Sequence, residues 1–134
     1  MELVPQSFNN TLYCAWPRGE LTLEKIIFII TSISTLEKSS GRPFDRFIDL
    51  SRVTAITATE ESMAPVTERR KDEIVRLPEV HVRIALFASN PVNYSLARIY
   101  ERMMSSPGVL VMVFSRREDA AHWLEVSPEQ ISPP

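Results

Sequence analysis

Four short apolar runs recur along this chain, and each is followed by a loop or turn and a residue suited to opening a helix. The runs are Thr11–Trp16, Phe44–Leu50, Val80–Ser89 and Val109–Phe114, and the helix openings fall at Thr22, Thr57, Asn90 and Ser115. Strand then helix, four times over, is the order of an α/β domain with a mostly parallel sheet, because parallel neighbours need a crossover and a helix supplies it. At 134 residues the chain is expected to form one domain, 1–134, with a core of ordinary size.

The runs differ in what they predict. In Thr11–Trp16, Leu12, Cys14 and Trp16 alternate with Thr11, Tyr13 and Ala15, as in a strand. Residues Met1–Asn10 are expected to be irregular, and Pro17-Arg18-Gly19-Glu20 to turn. Thr22 is placed to cap a helix over Leu23–Lys38, with Glu24 near the positive end of its dipole and Ser39-Ser40-Gly41 as its stop. Its stripe is Leu23, Ile26, Ile27, Ile30, Ile33 and Leu36. Phe28 and Ile29 fall off that stripe, so the helix is apolar around much of its girth and is either deeply covered or part of an oligomer interface, a homodimer through this surface being the favoured expectation.

Phe44–Leu50 lacks clean alternation, which suits a strand covered on both faces. Ser51–Ile56 reads as loop. Thr57-Ala58-Thr59-Glu60 then has the form of a capping box, with Thr57 as cap and Glu60 reaching back. Met63, Val66, Arg70, Ile74 and Leu77 share one face of the helix that follows. Pro65 either kinks this helix or stands at the first position of its main part, and the second is favoured.

After a break at Leu77-Pro78-Glu79, the first half of Val80–Ser89 alternates and its second half is wholly apolar. Asn90 caps the third helix and Pro91 stands first inside it, with Leu96, Ile99, Tyr100 and Met103 as its buried face and Ser106-Pro107-Gly108 as its end. The uninterrupted Val109–Phe114 reads as a central strand. Ser115-Arg116-Arg117-Glu118 reads as a second capping box, opening a short helix through Ala120, Ala121, Trp123 and Leu124. From Ser127 onward, three prolines in eight residues predict a loose tail.

Composition excludes several function classes. Fifteen basic against seventeen acidic residues give a net charge of −2, which argues against a nucleic-acid partner. The Arg69-Arg70-Lys71 run is flanked by Glu68, Asp72 and Glu73 and reads as a solvated helix face. Cys14, the single cysteine, reads as a small buried strand residue and leaves no intrachain disulfide. The apolar segment Ile26–Ile33 is far short of the ~20 residues a membrane helix needs, so no membrane insertion is expected and the default location is cytoplasmic. His81 and His122 stand apart from each other and from other ligands, so no metal or cofactor is expected. Three glycines, Gly19, Gly41 and Gly108, build no phosphate loop. An enzyme is the weaker reading.

In parallel sheets, ligands and partners gather outside the carboxyl ends of the strands. Those ends lead here into residues 51–59, 89–94 and 115–117. The side chains expected on that rim are Thr57, Ala58, Thr59, Glu60, Asn90, Asn93, Tyr94, Ser115 and Arg116. At the first of these junctions the chain resembles the STAS domains, the SpoIIAA-like anti-sigma-factor antagonists and the cytoplasmic domains of sulfate transporters. Asp49-Leu50-Ser51 matches the Asp-Leu-Ser that ends their strand, Val53 and Ile56 match the loop, and Thr57-Ala58-Thr59-Glu60 takes the place of Asp-Ser-Ser-Gly. The order of elements agrees from Thr11 to Leu124, and the ASNPVNYSLARIYE stretch looks like a bacterial SpoIIAA-like group of unassigned function.

The resemblance implies a SpoIIAA-like, STAS-like β/α domain with a mixed, mostly parallel sheet of four to five strands and about four helices. It also implies a non-enzymatic interaction or regulatory module with a protein partner. The family's phosphorylated serine falls at Ala58, which cannot accept phosphate; Thr59 is the nearest hydroxyl that could. The alternative expectation is a domain for a small molecule or lipid, with an apolar cavity lined by the first helix and Phe28. An open apolar pocket beside the rim favours that alternative, and a flat polar rim favours the protein partner.

Overall fold

Backbone hydrogen bonding in the computed structural model, which describes residues 3–9, 11–75, 81–105 and 107–134, sets seven strands and four α-helices in chain order. They are β1 (Gln6–Phe8), β2 (Leu12–Ala15), β3 (Gly19–Leu21), α1 (Leu23–Ser40), β4 (Asp45–Asp49), β5 (Val53–Ile56), α2 (Glu60–Val75), β6 (Val82–Phe87), α3 (Pro91–Met104), β7 (Val109–Phe114) and α4 (Arg117–Leu124), followed by a 3₁₀ turn at Pro128–Ile131. The main sheet has the order β1-β2-β4-β6-β7. β1 runs antiparallel to β2, and every other neighbour in it is parallel. The α/β class, the mixed and mostly parallel five-stranded sheet and the four helices are as expected.

The pleat divides each strand between two layers. Ile84, Leu86, Val111 and Val113 pack in one core with Ala97 and Met104 of α3. Phe47, Ala85 and Phe87 turn the other way, into a core with Ala120, Ala121 and Leu124 of α4. A third cluster joins Ile29 and Ile33 of α1 to Tyr13 and Ala15 of β2. Two of the predicted caps are in place. Thr22 accepts from the Lys25 amide at 3.2 Å, and Asn90 Oδ1 accepts from the Asn93 amide at 2.9 Å with Pro91 first inside α3. Gly41 closes α1 in the left-handed region, φ 75°, where a side chain would be strained.

Other expectations are corrected. The N-terminal stretch is not wholly irregular: β1 is held by the Tyr13 hydroxyl on Gln6 Oε1 at 2.6 Å and by Phe8 against Phe44, with ring centroids 4.5 Å apart. The Pro17–Glu20 turn and the 51–56 loop both contain strand, since β3 and β5 pair in parallel as a small second sheet. Strands of three and four residues, with Thr54 and Ala55 exposed, are too short and too polar to show a period. β7 is an edge strand, not a central one. Its outer positions Leu110 and Met112 are 56% and 43% exposed because the short α4 does not reach over them. The buried face of α1 centres on Ile29 and Ile33 and leaves Ile27 exposed. That of α3 runs through Asn93, Ala97 and Met104.

The C-terminal tail is docked, not loose. Ile131 is fully buried, its carbonyl accepts from Trp16 Nε1 at 3.0 Å, and Gln130 closes a capping box on Ser127. The break expected at Leu77-Pro78-Glu79, the helix-ending Ser106, and the side chains of Arg70 and Ile74 lie outside the described residues and side chains.

Candidate functional site

Asp49 ends β4 with its side chain 98% enclosed, so its charge must be met by fixed partners. The Ser51 amide donates to Oδ1 at 2.8 Å, and Arg117 Nη2 donates to Oδ2 at 2.9 Å. The Arg117 guanidinium also lies over the Phe87 ring, 5.0 Å from its centroid. One carboxylate therefore fixes the turn after β4 and ties it to the first residue of α4. Asn93 does the same from α3. Its Nδ2 donates to the Leu50 carbonyl at 3.2 Å and the Val53 carbonyl at 2.9 Å, and the residue is only 3% exposed. Asn93 thus braces the turn from beneath, where the sequence suggested a rim side chain. Tyr94 is half-buried against the α3-side core, while Asn90, Ser115 and Arg116 are exposed. The second capping box does not form: Arg116 is the N-cap of α4 and makes no side-chain cap bond.

From Val53, β5 carries the chain about 10 Å, at ~3.3 Å per residue, before α2 begins. Residues 57–60 are attached to β3, not to the turn that Asp49 and Asn93 hold. The Thr57 amide donates to the Leu21 carbonyl at 3.1 Å, and its hydroxyl reaches the same oxygen at 3.4 Å. That ladder bond keeps Thr57 extended and moves the capping box two residues on. The Ser62 amide donates to Thr59 Oγ1 at 3.0 Å, and the Thr59 amide donates to Ser62 Oγ at 2.9 Å. Glu60 is the first helical residue rather than the reciprocal cap. Pro65 sits inside α2 at its sixth position and begins nothing. Thr57, Thr59, Glu60 and Glu61 are exposed; Ala58 is half-buried.

Ala58 is half-buried at the edge of a cavity that lies under this junction. The cavity encloses about 120 Å³ between α1, α2, α3 and the β4–β6 face. Ile29, Ile33, Ile84, Leu86, Met63 and Ala97 supply much of its wall, with Ala58 and the exposed Glu60 at its edge. Phe28 takes no part; it packs instead with the third cluster. Among the described residues, one cation reaches the wall. Arg46, 2% exposed on β4, donates through Nη2 to Glu37 Oε2 at 2.7 Å. The rim is thus neither flat nor wholly polar.

The first helix was expected to line such a cavity and does so through Ile29 and Ile33, with Ala58 and Glu60 of the expected rim at its edge; Arg46, Ile84, Leu86 and Ala97 were missed, and the available signal was thin. Alternation in β4 does place Arg46 and Ile48 on one face, but no local pattern marks an arginine as enclosed. The two histidines are exposed, and among the described residues no group of three or more His, Cys, Asp or Glu is placed to hold a metal ion. Cys14 is 1% exposed and its thiol, 3.8 Å from the Gln130 carbonyl, is pushed by burial up to about 12. Among the described residues no helix is long and apolar enough to cross a membrane.

No family model matches this sequence, and no curated protein matches it. Solved structures do. An uncharacterised DUF3478-family protein with a SpoIIAA-like fold, from Shewanella loihica PV-4, aligns with a TM-score of 0.53 at 14% identity, covering 90% of this chain and 91% of that one. The anti-sigma factor antagonist SpoIIAA, in its unphosphorylated form, aligns with a TM-score of 0.56 at 14% identity, covering 91% of this chain and 97% of that one. At such identity the likeness is one of architecture, and it spans nearly the whole of each chain. Five strands in a mixed, mostly parallel sheet with helices on both faces, matched in both comparisons, give this chain a SpoIIAA-like fold.

Proposed function

We propose that this chain is a non-enzymatic regulatory module that presents the α2 junction to a protein partner. The observation that carries the reading is the contrast at residues 57–61. The backbone there is fixed by the Thr57 ladder bond and the Thr59–Ser62 box, while the side chains of Thr57, Thr59, Glu60 and Glu61 stand exposed. A fixed, polar, weakly acidic helix start loses little conformational entropy on docking. Asn90, Ser115 and Arg116 stand exposed after the ends of β6 and β7, and the Asn93 amide holds the Asn90 side chain at 2.9 Å. The fold likeness to an anti-sigma factor antagonist supports a regulatory role.

A serine-type phospho-switch is not available at Ala58. Phosphate on Thr59 would add charge at the start of α2, where the helix dipole favours it, but on an oxygen that already accepts from the Ser62 amide and beside Glu60 and Glu61, whose charges oppose it. Protein isolated from its native host across growth conditions is expected to show no phosphothreonine at this position by mass spectrometry. The partner reading is tested by affinity capture from the same host. A partner retained by wild type and by the distant Glu129→Ala, but lost by folded Thr57→Ala/Thr59→Ala, supports it. An unchanged set of captured proteins counts against it.

Homodimerisation through α1 belongs to the same reading in reduced form. Much of the helix girth is used internally, leaving Ile27 and Leu3, 42% and 40% exposed, as the contact a second copy would cover. A monomer mass independent of concentration in light scattering would exclude it. A small-molecule-binding domain is the second reading, and one observation favours it: the apolar cavity beside Ala58.

A further inference from the structure

We infer that the cavity beneath α2 is a binding site for one small, uncharged apolar molecule. This deepens the small-molecule reading and rests on it, and it requires nothing of the partner reading.

Size sets the first limit. The cavity encloses about 120 Å³. Apolar cavities of about 150 Å³ hold one benzene, so the occupant is on the order of a single aromatic ring or a chain of about six carbons. Of a long acyl chain, no more than such a segment would lie inside it.

Lining chemistry sets the second. Among the described residues eight isoleucines contribute to the wall, and two small residues, Ala58 and Ala97, stand where larger side chains would close the space. Ala97 is 3% exposed, so its smallness leaves room inside the protein and not at the surface. Met63, which α2 sends down over the cavity, is 7% exposed, and its flexible, polarizable chain can adapt to an occupant.

Charge sets the third. The Arg46 guanidinium is engaged by Glu37 at 2.7 Å, with both side chains nearly enclosed. An anionic ligand would have to compete with that carboxylate, and an acid approaching the edge meets the exposed Glu60. A cationic ligand would bury its charge beside Arg46. Neutral molecules avoid both penalties.

The edge residues Ala58 and Glu60 belong to the same junction as Thr57 and Thr59. Occupancy therefore bears on the surface where the cap of α2 begins, and a ligand stands in position to do what a phosphate cannot do at Ala58.

Benzene is the first probe, read by methyl NMR of the protein labelled at the isoleucine δ1 carbons. Saturable shifts are expected at Ile29, Ile33 and Ile84, together with amide shifts in residues 57–62. Ile27 and Ile131, which lie outside the wall, serve as internal controls. Ala97→Leu is expected to remain folded and to lose the benzene response by at least tenfold in affinity; if that variant does not fold, Ala58→Leu takes its place. Hexanol is expected to compete with benzene, and hexanoate is not. Hexanoate competing while hexanol does not would overturn the uncharged assignment and leave the small-molecule reading standing. No response to any of the three probes, or non-saturable shifts that include Ile27 and Ile131, would overturn both.

Discussion

Asn93 shows how a single residue was legible in type and illegible in role. Its polarity and its place just after a helix cap suggested an exposed rim group, yet its amide is buried and spans the Leu50 and Val53 carbonyls. Composition cannot distinguish a polar group that faces water from one that replaces water. Asn93→Ala would remove a buried donor from both carbonyls, leaving that of Leu50 with the Val53 amide alone, and it is expected to lower stability by about 1–3 kcal/mol in urea unfolding. A change within a few tenths would show that the turn after β4 does not depend on this brace. Cys14, by contrast, was legible as a buried strand residue, and burial has a consequence in alkali. Its thiol titrates near 12 in the folded chain, from an ordinary value of 9.0. Below pH 9 the thiol is protonated in both states and contributes no pH dependence. Between 9 and 12 the unfolded chain releases the proton and the folded chain does not. Stability should therefore fall by up to about 1.4 kcal/mol per pH unit in that window. Against Cys14→Ala as reference, wild type is expected to show the steeper loss; identical slopes would contradict the burial argument.

Among the elements, those with a long period or an unambiguous cap were legible, and those set by tertiary pairing were not. α1, α3 and β6 follow from apolar spacing, and Thr22 and Asn90 open their helices as capping chemistry requires. β5 is different. It exists because β3 lies beside it, and that pairing then holds Thr57 extended and moves the start of α2 to Glu60. A motif of the form T-x-x-E was read correctly as a helix start and misplaced by two residues for this reason. The docked tail has the same origin: three prolines predict looseness until Trp16 supplies a donor for the Ile131 carbonyl. Pro65 gives the test at this scale. Lying inside α2, it cannot donate to the Glu61 carbonyl. Pro65→Ala is expected to raise stability by about 1–2 kcal/mol, the regained helix bond outweighing the freer unfolded chain. A destabilised variant in thermal melting would contradict this account of Pro65.

At the scale of the whole molecule, the alternation of runs and helix starts specified the α/β class and the parallel sheet, but not the strand order. Six consecutive apolar residues in β7 suggested a centre strand, whereas Leu110 and Met112 stand exposed at an edge. The cavity is a property of this scale alone. It arises where three helices and a sheet face fail to meet, and no local spacing of Ile29, Ile84 and Ala97 announces it. What joins the scales is the junction at residues 57–61, fixed by β3, opened by Thr59 and undercut by the cavity. Its proposed role as the partner-facing surface is tested most directly by site-specific photo-crosslinking in the native host. A photoreactive side chain at Thr57 and, separately, at Glu61 is expected to capture the same discrete protein, while one at Glu129 captures none of it. The same products from all three positions, or no product from Thr57 and Glu61 in folded protein, would contradict the account.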